Sequence, residues 1–398
     1  MVRIGTFTKG PKVKIQKDGK LLSDINADSL VLGGDAPVYK RETAKPSYFA
    51  ETQVSNEELK SKYGTTDSNK EMFLQLLQTP TIASKRWVFE QYDSQVRTNT
   101  VSIKGDAAIL RLKELPGKGI AVATDCNSRY VYLNPYEGGK AAVAEAARNV
   151  ACTGAKPVAI TNCLNFGNPY DPEVYYQFSE AIRGMGDMCR TLDTPVTGGN
   201  VSFHNESKQN AVFPTPTIGM LGIIDDFDKT CGAGFSNMGD KVAVLGGIGD
   251  NLSGSEYLKA KTGKILGVGQ FIDLEKEKNL QSVILDIIHS GLVNSAHDTA
   301  EGGLAIAIAE SCMIKGLGFE SNRNFNTVDL FNESQGRIIV SYNNSNETRI
   351  NEIADKFNVE FQEIGEVKSD KFRIGNIMSD LEEITSVYEN AISNIMSK

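Results

Sequence analysis

The sequence predicts an α+β protein of two domains. Short apolar strand runs alternate with capped helices of 3.6-residue periodicity, glycines cluster at their junctions, and a polar, glycine-bearing stretch at 225–240 separates two such series. With 398 residues the chain can bury two cores. Its 42 basic and 50 acidic residues give a formal charge of −8, with 40% hydrophobic and 23% charged residues, an ordinary soluble composition. Acidic side chains are interspersed with Lys and Arg throughout, which excludes a basic nucleic-acid groove. The most apolar runs, such as 302–309, stop well short of the roughly 18 residues of a bilayer span, and no signal peptide is expected from the opening residues. Neither nucleic acid nor membrane is expected as a partner. Six scattered cysteines and three histidines (His204, His289, His297) suggest neither a disulfide framework nor a histidine-rich metal site; a reducing cytoplasm fits.

Along the chain, Val13 and Ile15 alternate with Lys12, Lys14 and Gln16 before an Asp18-Gly19 turn into Leu21 and Leu22, a hairpin signal. Ser55 with Glu58 and Ser68 with Glu71 have capping-box spacing, so two short helices follow, the second burying Met72, Phe73, Leu76 and Leu77. Residues 107–112 and 120–123 read as strands. Gly138-Gly139 then opens a helix over 140–153 in which Glu145, Arg148 and Asn149 are polar exceptions among Ala, Val and Cys, stopped by Gly154. Residues 158–161 form the next strand. Asp171-Pro172 caps a long helix with Val174, Phe178, Ile182, Met185, Met188, Cys189 and Leu192 at core spacing. Strands at 194–197 and 217–224 complete the first domain. The second has strands at 241–245 and 337–341, and helices around 280–288, 304–314 and 349–357.

Three polar loops, each placed after a strand, are candidates for chemistry. Residues 162–169 form the first. In the second, Gly198-Gly199-Asn200-Val201-Ser202, glycines would admit phosphate to backbone N–H groups while Asn200 and Ser202 offer oxygens, although Gly-Gly-Asn is also turn chemistry. The third, 295–303, sets His297, Asp298 and Glu301 before a helix, as a binding group or as N-terminal acids favoured by the helix dipole. The Gly246-Gly247-Ile248-Gly249 loop lacks the dinucleotide fingerprint, no Walker A motif is present, and no Gly-x-Ser-x-Gly elbow or Cys–His pair argues for covalent catalysis.

The order of several longer motifs is recognisable. Asp125-Cys126-Asn127-Ser128-Arg129-Tyr130, the run 142–150, Leu164-Asn165-Phe166-Gly167-Asn168-Pro169, Gly199-Asn200-Val201-Ser202, Pro214-Thr215-Pro216-Thr217, Gly254-Ser255-Glu256-Tyr257, Ala296-His297-Asp298, Glu301-Gly302-Gly303-Leu304 and the run 330–337 resemble the phosphoribosylformylglycinamidine synthase family. The resemblance covers nearly the whole chain, but only the C-terminal half of that family's synthetase subunit of the short bacterial type. It implies an aminoimidazole-ribonucleotide-synthetase-like fold, a ferredoxin-like N-domain over 46–225 and an α+β C-domain over 235–398. Residues 1–45, including Ala36-Pro37-Val38-Tyr39, resemble a connector and the tail of a preceding repeat.

By the same resemblance the reaction is ATP-dependent conversion of formylglycinamide ribonucleotide to formylglycinamidine ribonucleotide in purine biosynthesis, with ATP and Mg²⁺. Gly199 matches an ATP contact, Asn200 a Mg²⁺ ligand and Ser202 a substrate contact; position 162 matches a nucleotide-contacting Asp but is Asn162 here. The family's catalytic histidines and its Glu and Asp metal ligands belong to the first repeat, so the isolated half is expected to be inactive. The implied partners are a first-repeat half, a glutaminase subunit and a small third subunit, with a homodimer as an alternative. A non-catalytic nucleotide-binding scaffold, or another ATP-using synthetase of the superfamily, is the competing expectation.

Overall fold

The computed structural model describes residues 4–30, 39–208 and 210–397, so Ala36-Pro37-Val38 of the connector lie outside the described residues. The chain divides into two compact units, Met1–Glu42 and Thr43–Lys398. In the first, strands β1 (Lys12–Lys17) and β2 (Lys20–Asn26) form an antiparallel hairpin about the Asp18-Gly19 turn, as the alternation predicts.

The second unit begins with helices α1 (Phe49–Thr52), α2 (Asn56–Tyr63), α3 (Asn69–Leu77) and α4 (Arg86–Phe89). Ser55 and Ser68 cap α2 and α3, their hydroxyls accepting from the amides of Glu58 and Glu71 at 3.3 and 3.2 Å. There follow β3 (Thr100–Ser102), β4 (Ala108–Arg111), β5 (Gly119–Asp125), α5 (Ser128–Leu133), α6 (Pro135–Cys152), β6 (Lys156–Asn165), α7 (Pro172–Leu192), β7 (Val196–Ser202) and β8 (Thr215–Ile224). The strands form a six-stranded sheet in the order β3-β4-β5-β8-β6-β7. Strand β8 lies between β5 and β6, which α6 connects, making a split β-α-β unit of the kind shared with ferredoxin-like folds. Helix α6 starts at Pro135 behind the Asn134 cap, a turn earlier than Gly138-Gly139 suggests. Helices α6 and α7 cover one face through Ala142, Val143, Ala146, Met185 and Met188. Ile182 departs from the expected stripe: it is exposed, because α7 buries Ala181 and Met185 instead.

The remaining elements are β9 (Lys241–Leu245), α8 (Glu256–Thr262), α9 (Leu274–His289), β10 (Ser295–Asp298), α10 (Gly303–Lys315), β11 (Gly318–Ser321), α11 (Thr327–Phe331), β12 (Ile338–Tyr342), α12 (Glu347–Lys356), β13 (Phe361–Lys368), β14 (Lys371–Ile374), β15 (Ile377–Asp380) and α13 (Leu381–Met396). They build a seven-stranded sheet, β10-β12-β9-β13-β11-β14-β15. Val283, Ile284 and Ile287 of α9 and Ile350 of α12 cover one face; α10, α11 and α13 cover the other. Leu59, Phe73, Leu76 and Leu77 join that second core, and the Phe73 ring stacks on Phe372 at 5.2 Å. The early helices α2 and α3 therefore pack with the second sheet, whereas sequence order puts them with the first. Their apolar faces find the open side of β14 and β15 through contacts that sequence proximity does not encode.

Candidate functional site

The second candidate loop is not a loop. Gly198 to Ser202 lie within β7, the edge strand, which pairs in parallel with β6 so that Asn162 faces Gly199, Cys163 faces Asn200 and Asn165 faces Ser202. Asn162 to Asn165 likewise lie in β6, and Ser295 to Asp298 in β10. Tertiary pairing extends each strand past its apolar run, because an edge can carry polar side chains once its neighbour supplies the ladder. Gly199, Asn200 and Ser202 thus lie on the edge strand, and Asn162 beside them on the neighbouring β6.

Gly199 has φ +154°, and a Cβ there would lie 2.1 Å from Asn162 Oδ1 and 2.3 Å from the Asn162 carbonyl oxygen. The glycine gives Asn162 its seat. Asn200 is exposed, whereas Ser202 is half-buried, its hydroxyl donating to Asn205 Oδ1 at 3.2 Å while Asn205 Nδ2 returns a bond to the Ser202 carbonyl at 2.7 Å. Opposite the helices the sheet is uncovered: Val122, Thr161, Cys163 and Ile223 are exposed, as is Val201 on the edge strand. An apolar face of this extent on a half-covered sheet is a surface that another sheet can cover.

A second concentration of polar groups lies where the two sheets meet, and sequence reading left it unassembled. Arg148, fully buried on α6, donates from Nε to Asp298 Oδ1 at 2.7 Å, from Nη1 to Glu277 Oε2 at 2.8 Å and from Nη2 to Gln335 Oε1 at 2.7 Å. Asn149 Nδ2 donates to Asp125 Oδ2 at 3.2 Å, and Asn127 Nδ2 to Glu301 Oε1 at 2.9 Å. Burial raises the Asp125 and Glu145 carboxyls well above the usual range, and the neighbouring carboxylates Glu301 and Asp298 reinforce the shift. Glu333 accepts from the Gly302 amide at 2.7 Å, the Glu256 amide at 2.8 Å and the Tyr130 hydroxyl at 2.6 Å, yet burial still lifts it to about 7. His297 bridges Asp106 on the first sheet's side, at 2.5 Å, to Glu310 of α10 at 3.3 Å; these two carboxylates outweigh burial and hold its imidazole charged well above its ordinary range.

The third candidate loop is thereby reassigned. Asp298 and Glu301 do not cap α10; Gly302 occupies the N-cap position without a side-chain bond, and both acids point into the buried centre. The Gly246-Gly247-Ile248-Gly249 loop turns its carbonyls inward, Ile248 accepting from Arg337 Nη1 at 2.6 Å and from Asn332 Nδ2 at 3.2 Å. It wraps a buried guanidinium. Burial lowers Arg337 to about 10. The signal for this centre was the set of polar exceptions Glu145, Arg148 and Asn149 on one helix, which sequence cannot connect to partners as scattered as Asp125, Glu277, Asp298 and Gln335.

Oxygen donors such as Asp125, Glu145 and Asn149 suit a hard cation in kind. Among the described residues, however, no three His, Cys, Asp or Glu side chains are grouped to hold a metal ion. Asn200 stands on the exposed edge with a single neutral oxygen. The described residues present no closed metal centre of their own.

Residues 104–224 match the family model of the AIR synthase related protein, N-terminal domain, and residues 237–375 that of its C-terminal domain, together more than half of the chain. The chain belongs to the AIR synthase related family. Among curated members, the phosphoribosylformylglycinamidine synthase subunit PurL of Chlorobaculum tepidum is 46% identical over 384 residues, 92% of this chain and 49% of the relative. The subunit of the same name from Chlorobium luteolum is 43% identical over 418 residues, 99% and 54% of the two chains. This AIR synthase related chain thus spans about half the length of the curated relatives it matches. T. maritima PurL complexed with FGAR superimposes with a TM-score of 0.66 at 20% identity, over 83% of this chain and 56% of that one. Structures described as T. maritima PurL complexed with ATP and as PurLQS from Thermotoga maritima each give 0.63, at 20% identity, over 83% and 86% of this chain and 54% and 55% of theirs. At that identity the likeness establishes the AIR synthase fold.

Proposed function

We propose that the chain is the second-repeat half of an ATP-dependent ligase that converts formylglycinamide ribonucleotide to formylglycinamidine ribonucleotide. The observation that carries this reading is 46% identity across 92% of the chain to a subunit named for that synthase. The exposed strand β7 supports it geometrically, since it offers Gly199, Asn200 and Ser202 side by side on an uncovered sheet edge where a second polypeptide could close the site.

In this reading Gly199 lets the main chain approach the nucleotide phosphates, and Ser202 hydrogen-bonds the ribonucleotide substrate. Asn162, held against Gly199, offers a neutral amide where the resemblance places a nucleotide-contacting Asp, which weakens metal or ribose binding at that spot. Asn200 would offer Mg²⁺ one amide oxygen, and the ion would supply charge neutralisation for phosphoryl transfer. This half orients ATP and substrate. Proton transfer and most metal ligation come from a first-repeat half seated on the uncovered face, ammonia from a glutaminase subunit, and assembly is completed by a small third subunit.

The test is an assay with ATP, Mg²⁺, formylglycinamide ribonucleotide and excess ammonia. The chain alone is expected to be inactive, and activity is expected when a first-repeat half is added. Under those conditions Asn200→Ala should weaken MgATP use and Ser202→Ala should raise the KM for the ribonucleotide, each about ten- to hundredfold. Turnover by the pure chain alone would overturn the half-site reading, and unaltered kinetics in both variants would remove this edge from the active site.

A further inference from the structure

Past the last residue of β7 the chain turns sharply. Phe203 packs its ring against Phe178 at 4.9 Å, and His204 takes φ +59°, a backbone region that residues with a side chain rarely occupy. The His204 and Asn205 amides then donate to the carbonyls of Gly167 and Phe166 at 3.0 and 3.2 Å, which lays the turn across the end of β6. On its other side the Asn205 carbonyl accepts from the Val212 amide at 2.9 Å. The main chain of Asn205 is thus held from both directions.

Its side chain has one way to face. Nδ2 donates to the carbonyls of Ser202 at 2.7 Å and Phe166 at 3.2 Å; both are acceptors only, so they fix the amide nitrogen on their side and the oxygen on the other. That oxygen lies 3.2 Å from Ser202 Oγ. An amide oxygen carries no proton, so the bond between them uses the single proton of the Ser202 hydroxyl. What the hydroxyl still has to offer is its lone pairs. A serine hydroxyl without such a partner rotates to give or to accept as its surroundings ask; here Asn205 makes the choice.

We propose that Asn205 is a positioning residue for the sheet-edge site: it holds the Ser202 hydroxyl as a hydrogen-bond acceptor, so that Ser202 receives a bond from a donor of the ribonucleotide, a ribose hydroxyl or an amide N–H, and gives none to its phosphate. This role rests on the proposed contact of Ser202 with the ribonucleotide and adds the polarity of that contact. An ionised phosphate needs donors, which a hydroxyl with a committed proton does not supply. Ser202 is half-buried at the end of the edge strand, next to exposed Val201, so its remaining lone pairs are within reach of a ligand lying along β7.

The experiment uses the full chain assembled with a first-repeat half and follows the KM for the ribonucleotide, the KM for MgATP and the melting temperature. Asn205→Ala should raise the ribonucleotide KM about three- to tenfold and leave that for MgATP within about twofold. Asn205→Asp keeps an oxygen for the Ser202 proton but gives up the amide donors, so it should lower the melting temperature as Asn205→Ala does and yet hold the ribonucleotide KM within about twofold of wild type. Asn205→Ala combined with Ser202→Ala should be no worse than Ser202→Ala alone, because one residue acts through the other. As competitive inhibitors, analogues lacking the 2′-hydroxyl, lacking the 3′-hydroxyl or carrying an N-methylated amide tell the donors apart: the one missing the right donor should bind about tenfold more weakly to wild type and no more weakly to Ser202→Ala. This series needs only wild type and Ser202→Ala, so it decides even where Asn205→Ala does not fold. A penalty in Ser202→Ala that disappears only with an analogue lacking the phosphate assigns the contact to phosphate and overturns the proposal. So does a KM that tracks the melting temperature through both Asn205 variants, which makes the residue merely structural. An unchanged KM in Ser202→Ala removes the substrate contact itself; a raised KM there with none in Asn205→Ala removes the role of Asn205 alone.

Discussion

Arg148 Nε lies 2.7 Å from Asp298 Oδ1, a buried ion pair that ties the central helix of the first sheet to the edge strand of the second. Glu277 and Gln335 take the remaining guanidinium nitrogens, so one side chain of α6 reaches β10, α9 and the turn ahead of β12. Several consequences of this and the neighbouring contacts can be measured.

Arg148→Ala should destabilise the protein by about 3–5 kcal/mol, since it leaves Asp298 and Glu277 buried without their cation. The two carboxyls would then be raised further above their unfolded values. Groups raised in this way contribute their stability below the unfolded pKa and lose it as pH climbs through the folded one, so the variant's deficit should grow from pH 5 to pH 8. Urea titrations across that range check this; a deficit independent of pH would contradict it.

Glu333 provides a cleaner pH signature. Its folded pKa of about 7 stands above the ordinary 4.5, so its protonated form stabilises the fold fully below 4.5 and the contribution, up to ~3 kcal/mol, disappears as pH rises through 7. Glu333→Gln should flatten the fall in denaturation midpoint between pH 5 and 8, at the cost of a weaker acceptor for the Gly302 and Glu256 amides. An equally steep fall in the variant would assign the slope to other groups.

At the sheet edge, stability and function should separate. Gly199→Ala drives a Cβ against Asn162 Oδ1 and should cost about 1–3 kcal/mol by opening the β6–β7 ladder. Asn200→Ala, on the exposed side of the same strand, should change stability by no more than about 0.5 kcal/mol. Thermal melts of the two variants test the contrast, which fails if Asn200→Ala proves the more damaging.

Cys163 reports on the uncovered face. It is the exposed cysteine among the six described, whereas burial pushes the thiols of Cys126, Cys152 and Cys312 well up and that of Cys231 to about 12. A disulfide reagent should therefore modify one thiol per chain rapidly, the reaction should vanish in Cys163→Ser, and a partner seated on the sheet should block it. Equal reactivity with and without a bound partner would place that partner elsewhere.

Local signals were legible wherever a side chain acts on its own turn or strand. Ser55, Ser68 and Asp171 cap the helices their spacing predicts, because a cap is a bond to an amide two or three residues away. The β1–β2 hairpin and strand β9 lie where their patterns put them. The ordered motifs also carried the family, which the domain matches establish.

Tertiary structure decided the rest. Gly198 to Ser202 read as a turn in isolation and became an edge strand only because β6 supplies a ladder more than 30 residues away in sequence. Polar residues in α6 and in the segment ahead of α10 looked like exceptions and caps, and became a buried ionic centre once the two sheets met, since long-range electrostatic partners leave no periodicity in a sequence. Sequence by itself determined the family and the elements and caps whose signals are local, such as α2, α3, α7, the β1–β2 hairpin and β9, while β10, β11, β13 to β15 and α13 had no predicted counterpart. Which layer α2 and α3 join, and which acids Arg148 neutralises, were set by packing, because apolar burial and buried-charge pairing are satisfied between segments rather than within them.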